Sequence, residues 1–372
     1  MRRFIGLMSG TSLDAVDAAL LELAPERTAQ PIRTAAFASR PLEADLRQEF
    51  IALQAPGHDE LARAAVAANR LADAYAAVVA DLLARAGCAA ADIVAVGAHG
   101  QTVRHRPDLG YTLQLLNPAR LAETCGIAVV SDLRAADVAA GGQGAPLVPA
   151  FHAQMFRHPS ERRAVVNLGG IANVSLLPPG ACAGEPVLGY DTGPSNLLLD
   201  HWCRSHTGSD YDDDGRWARG GRIDAALLDS LLADPWFGRA PPKSTGRELF
   251  GALWLERALG RHAPVAPRDV QATLVELTAV SVARACRDYG AERILVCGGG
   301  ARNGFLVQRL AAHAAPAPVA TTQEAGIDPQ AVEAAAFAWL AAQRVDGAPG
   351  NLASVTGARG PRVLGVLSEP RC

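Results

Sequence analysis

Residues 2–23 read "RRFIGLMSGTSLDAVDAALLEL", and residues 162–180 read "RRAVVNLGGIANVSLLPPG". Both run from a basic pair through an aliphatic strand and a small-residue turn into a second aliphatic strand. Short apolar runs bounded by turn residues are the pattern of buried strands. The same order at two places is an internal duplication, and its position at the start of each half predicts a two-lobed molecule. Around these hairpins, strands over 93–98, 111–115, 127–130 and up to Cys297 alternate with helices. The helices are expected over 59–85, from Pro118, and over 195–204, 268–289 and 330–344. That alternation predicts an α/β fold. The Gly/Pro-rich stretch "AAGGQGAPLVPA" (139–150) marks a boundary between lobes of residues 1–145 and 146–372, the last helix being free to pack back on the first lobe.

With 372 residues the chain is long enough for a substantial core, and its net charge of −3 leaves no basic stripe for nucleic acid. Its seven cysteines are scattered, with no C-x-x-C pair. Neither a disulfide framework nor a zinc knuckle is expected, and a reduced cytoplasm is the simplest setting. The apolar run Phe4 to Met8 is too short for a signal peptide, and no apolar stretch reaches membrane-spanning length. The partners expected are therefore small molecules, without nucleic acid or membrane.

Two turns carry the functional reading. In "MSGTSLDAVD" (8–17), Gly10, Thr11 and Ser12 allow close backbone approach to phosphate oxygens, and successive N–H groups form an anion-binding concavity. Asp14 or Asp17 beside it suits a hydrated Mg²⁺. The same stretch is also a tight hairpin turn whose hydroxyls satisfy the backbone. In "YDTGPSN" (190–196), Asp191 is a candidate general base beside a phosphate site, or a helix cap. An aspartic-protease reading needs a second such triplet, which the chain lacks. "CGGGARN" (297–303) is a strand, three glycines and a helix start, against which an adenosine can lie; its glycines do not complete a dinucleotide fingerprint, and a plain packing turn stays open.

Other motifs are weaker. "SDYDDDG" (209–215) matches the first half of a calcium loop, but the twelfth position is Gly221 and a surface loop is expected. His99 and Gln101 in "AHGQTVRH" (98–105) form a substrate-pocket wall or a satisfied turn, without metal-ligand spacing. Glu333 favours the helix dipole at its helix start or faces a substrate.

Taken in order, "GLMSGTSLDAVDAAL", "HGQTVRH", "GGQGAPLVPAFH", "NLGGIANVS", "YDTGPSNLLLD", "YDDDGRWARGG", "PPKSTGRELF", "CGGGARN", "EAAAFAWLA" and "GNLASVTGARGPRVLG" resemble the anhydro-N-acetylmuramic acid kinase family over nearly the whole chain. The resemblance implies an actin-like ATPase (sugar kinase) fold, with a duplicated ribonuclease H-like core and a central interlobe cleft. It also implies ATP and Mg²⁺ as cofactors, a homodimer, and a place in peptidoglycan recycling. The family converts 1,6-anhydro-N-acetylmuramic acid and water into N-acetylmuramic acid 6-phosphate. Carried over by motif, Gly10, Thr11, Ser12, Leu13, Asp14, Ala15, Val16 and Asp17 are the phosphate loop, with Asp14 at Mg²⁺ through water. Gly169, Gly170 and Gly193 fall in nucleotide-binding turns, and Gly298, Gly299, Gly300 and Asn303 near the adenosine. Asp191 becomes the base that activates water, and His99, Gln101 and Glu333 go to the sugar. Position 15 departs from the family, which usually has Gly there; an ordinary negative φ at Ala15 is expected. A kinase for another sugar hydroxyl and a non-catalytic actin-like ATP-binding module are the competing readings.

Overall fold

In the computed structural model, which describes residues 1–10, 13–24, 32–182 and 184–370, the opening apolar run is β1 (Arg2–Ser9) and its return is β2 (Ala15–Leu23). The two pair antiparallel, with Ser9 opposite Val16. Ile5 and Leu7 are fully buried in a core shared with Leu71 and Tyr75 of the long helix Glu60–Ala86. Gly6, between them, turns to the opposite face, where the helix Val332–Val345 lies against β1. A strand covered on both faces can be apolar at every position, which is why β1 reads as a continuous run rather than an alternation.

The described residues divide into a first unit of residues 1–151 and 331–372 and a second of 152–330. The sequence reading sets a boundary at 145/146 and leaves the last helix free to pack back on the first lobe; the two units divide at 151/152 and at 330/331. The stretch read as a linker is a folded loop of the first unit. Buried Asp137 gathers it, accepting the Gly144 amide at 2.8 Å through Oδ2. Its Oδ1 accepts Asn351 Nδ2 at 2.6 Å and Thr356 Oγ1 at 2.7 Å. The closing "GNLASVTG" motif thus ties the chain's last segment to this loop.

The first unit adds β3 (Ile32–Pro41), β4 (Ala95–Ala98), the hairpin β5 (Gln101–Arg106) and β6 (Tyr111–Leu115), and β7 (Val129–Ser131). Its main sheet runs β3–β2–β1–β4–β7 and ends on the C-terminal strand Val366–Ser368. The second unit contains β8 (Arg163–Leu168), β9 (Ile171–Leu177), β10 (Leu188–Pro194), β11 (Arg293–Cys297) and β12 (Val319–Thr321), in the order β10–β9–β8–β11–β12. In each unit three antiparallel strands are followed by two parallel ones. The units therefore share one topology, and the two quoted stretches occupy the same place in it, the first hairpin. The duplicated α/β core expected from sequence is present. The helix Pro267–Tyr289 is buried over most of its length and carries the second unit's core with Leu168, Val174, Leu198 and Leu310.

Candidate active site

In the second unit two glycine-bearing turns and a helix start meet at the C-terminal ends of β8 and β11. β8 and β11 are parallel neighbours, with Asn167 opposite Cys297, so the turns after them emerge side by side. A Cβ at Gly298 would lie 2.2 Å from Asn167 Oδ1, and one at Gly300 would lie 2.7 Å from Leu168 Cβ. Only glycine allows that approach. The start of the helix Asn196–Thr207 is stitched to the same place. The Asn196 amide donates to Gly169 O (3.1 Å), those of Ser195 and Leu197 donate to Gly170 O (both 3.0 Å), and Asn196 Nδ2 donates to Leu168 O (2.9 Å). Gln330 Nε2 closes the group on Gly298 O at 2.8 Å. Gly169, Gly170, Gly298, Gly299, Gly300 and the head of the 196–207 helix are thereby brought together. Asn303 does something simpler: its Oδ1 caps the helix Gly304–Ala314 by accepting the Leu306 amide at 3.0 Å.

Asp191 sits on β10 opposite Asn173, next to a bulge that places Thr192 out of register before Gly193. Its Oδ2 accepts the Thr245 amide at 2.9 Å, and its own amide donates to Lys243 O at 3.0 Å. Burial, opposed by the Thr245 hydrogen bond and reinforced by Glu248, pushes the Asp191 carboxyl up to about 6. A carboxylate poised there accepts a proton near neutral pH yet remains largely ionised. Gly193, at φ 144, lets the ring of Phe237 close over the strand, since a Cβ there would fall 2.8 Å from Phe237 Cε1.

In the first unit the turn after β1 starts at buried Ser9, whose Oγ donates to Gly100 O (3.3 Å) and lies 3.1 Å from the Tyr75 hydroxyl. Gly10 O accepts the Leu13 amide at 3.1 Å. Thr11 and Ser12 lie outside the described residues. Leu13, not position 15, takes the left-handed conformation, at φ 59, with its side chain buried. Ala15 opens β2 opposite Pro41 with no positive φ, as expected. We therefore predict that Ala15→Gly leaves the KM for ATP within about twofold and lowers stability by about 0.5–1 kcal/mol, the usual cost of glycine in a strand; steady-state kinetics and thermal unfolding check both. Val16 is buried and Asp17 pairs with Met8 across the hairpin. Asp14 is exposed and ion-paired to Arg47 at 3.0 Å. No cluster of three metal-ligating residues occurs among the described residues. Asp14 and Asp17 flank this turn, and carboxylate oxygens are the donors that a largely hydrated Mg²⁺ accepts.

His99 and Arg134 form a second polar group in the first unit. Arg134 Nη2 and Nε lie 2.8 and 3.2 Å from His99 Nε2, and Arg134 Nη1 donates to Gly144 O at 2.7 Å. Burial and the guanidinium hold His99 well below its usual range, so it is neutral. Burial draws the Arg134 guanidinium down to about 10, against the pull of Glu333 and Asp137. The Phe337 ring packs on His99 with centroids 4.9 Å apart. Glu333, in the first turn of its helix, thus belongs electrostatically with this group. Gln101 opens β5, with Oε1 buried and unpartnered among the described residues. Sequence reasoning missed Arg134: one arginine has no spacing signal, and only burial distinguishes it. The calcium-like run is structural. Asp212 accepts the Trp217 and Ala218 amides (2.8 and 2.9 Å), and Asp214 accepts that of Gly304 (3.0 Å).

The family model for anhydro-N-acetylmuramic acid kinase matches residues 2–370. The chain belongs to the anhydro-N-acetylmuramic acid kinase family. Relatives of that name from Bordetella petrii and Variovorax paradoxus are 56% and 53% identical, each over 98% of this chain and over 96% and 98% of their own lengths. Among solved structures, the activator of 2-hydroxyisocaproyl-CoA dehydratase from Clostridium difficile is similar at a TM-score of 0.48 and 16% identity, over 93% of this chain and 96% of its own. Xylulose kinase from Rhodospirillum rubrum is similar at 0.46 and 15%, over 100% and 94%. No helix among the described residues of this family member is long and apolar enough to cross a membrane.

Proposed function

We propose that the protein uses ATP to open the 1,6-anhydro ring of anhydro-N-acetylmuramic acid with water and to phosphorylate O6, as an enzyme of peptidoglycan recycling. The observation that carries the mechanism is Asp191, a half-buried carboxylate pushed up to about 6 and held by backbone bonds on the strand that leads into the 196–207 helix. Asp191 accepts a proton from water as its oxygen bonds to C1. The C1–O6 bond breaks, O6 takes the γ-phosphoryl group, and ADP leaves. An alkoxide at O6 is a poor leaving group, so coupling its release to phosphoryl transfer keeps that charge from building up. Such transfer depends mainly on positioning and charge neutralisation.

Within the second unit, the converging turns of Gly169–Gly170 and Gly298–Gly300 support a role in holding the nucleotide; in the first unit, the turn from Gly10 to Asp17 is the candidate for phosphate contact. Bound at Asp14 or Asp17, Mg²⁺ would neutralise phosphate charge. The half-buried Arg134 beside neutral His99 suits an anionic substituent such as the lactyl carboxylate, and Glu333 and Gln101 suit sugar hydroxyls. All six cysteines among the described residues are free, which agrees with a cytoplasmic setting; the family resemblance supports a homodimer.

ADP release with the anhydro sugar in ¹⁸O-labelled water tests the reading. The expected product carries one phosphate and one ¹⁸O, at C1, and kcat falls tenfold per unit as pH drops below about 6, where Asp191 becomes protonated. A phosphorylated product without the label has kept the C1–O6 bond and points to phosphorylation of another hydroxyl, whereas faster turnover of N-acetylmuramic acid than of its anhydro form points to a simple 6-hydroxyl kinase.

A further inference from the structure

The segment after the Pro241–Pro242 pair clamps Asp191 and carries an unexplained group. It is anchored on aromatic side chains. Trp236 Nε1 donates to Ser244 O at 3.2 Å, and Lys243 Nζ donates to Phe237 O at 3.0 Å while lying 4.4 Å from the Trp236 ring centroid. Fully buried Phe250 packs on Trp236 and Phe237, with centroids 5.2 and 5.4 Å apart. Lys243 O and the Thr245 amide, two residues apart, bind the main chain and the carboxylate of Asp191 from this platform. The Thr245 side chain does not share in that work. Its Oγ1 is buried with no hydrogen-bond partner among the described residues.

A buried hydroxyl without a partner is destabilising, and a valine of nearly the same shape avoids that cost. The amide that holds Asp191 is backbone, so any residue other than proline supplies it. The hydroxyl is therefore surplus to both stability and the clamp, yet it belongs to the residue whose amide binds the carboxylate. We propose that Thr245 is a further residue of the reaction centre: its N–H fixes Oδ2 of Asp191, and its hydroxyl hydrogen-bonds the water that Asp191 deprotonates. The inference rests on Asp191 being the base. Lys243 cannot replace the hydroxyl, because its ammonium is directed to Phe237 O and Trp236.

The test compares Thr245→Val, Thr245→Ser and Asp191→Asn in the full-length protein with ATP and the anhydro sugar. Thr245→Val is expected to lower kcat at least tenfold, with the KM for ATP within twofold and Tm unchanged or raised. Thr245→Ser is expected to stay within threefold of the parent kcat. A Thr245→Val enzyme within threefold of the parent, or a loss of kcat in both variants that follows a drop in Tm, overturns the proposal. If Asp191→Asn is inactive in those cases, the assignment of the base stands and only Thr245 is released from its role. If Asp191→Asn turns over normally, the base assignment fails and the inference falls with it.

Discussion

Asp191→Asn lowers kcat by about 10²–10⁴-fold while ATP still binds with little change. That range is what a positioned proton acceptor contributes, and the amide cannot take a proton from water. Asparagine keeps the shape of the side chain, and its carbonyl oxygen can still accept the Thr245 amide that Oδ2 accepts now. The turns of Gly169, Gly170 and Gly298 to Gly300 are held by their own hydrogen bonds, so their geometry does not depend on the charge at 191. Thermal stability moves the other way from activity. Because burial disfavours the ionised Asp191, its folded-state pKa lies above the unfolded value, and folding weakens as pH rises through the interval from about 4 to about 6. The amide has no such dependence, so the variant's Tm at pH 8 equals or exceeds that of the parent. Turnover near the parent rate, or loss of nucleotide binding by calorimetry, defeats the assignment.

Gly6→Ala has the largest effect on stability. A Cβ at position 6 would lie 1.8 Å from Ala334 O and 2.4 Å from Ala338 N. Both atoms are helix backbone, so no rotamer change relieves the clash and β1 must move away from the Val332–Val345 helix. Gly97 on β4 makes the same kind of approach, with a Cβ 2.0 Å from Phe337 O. Overpacking of this severity costs about 3–5 kcal/mol, a large share of the stability of a domain. The expected result is a Tm lowered by roughly 10 °C or more, or recovery only as insoluble protein. A Tm within 2 °C of the parent shows that the helix does not sit on β1.

The parts legible in the sequence are those whose signal is local. The two hairpins could be read because β1 and β8 are buried over short runs bounded by small residues. β3 escaped, since "IRTAAFASRP" is an edge strand with half its positions exposed and no apolar alternation. The helix Val148–Phe156 was hidden behind glycines and prolines that look like a linker. What turns that stretch into a packed loop is Asp137, whose partners Asn351 and Thr356 lie 214 and 219 residues away. Within the candidate site, Asp191 and the glycine turns carry short motifs. Arg134 carries none, and "PPKSTGRELF" does not single out Thr245 within it; both stand out only through burial and the atoms beside them.

The return of residues 331–372 to the first unit has a consequence for biogenesis. On the ribosome, the middle of the chain is complete and able to fold before the beginning is. The nascent first sheet must wait, with the Gly6 and Gly97 face uncovered, until the helix Val332–Val345 has been made. A stop codon just before that helix would therefore spoil the oldest part of the polypeptide rather than the newest.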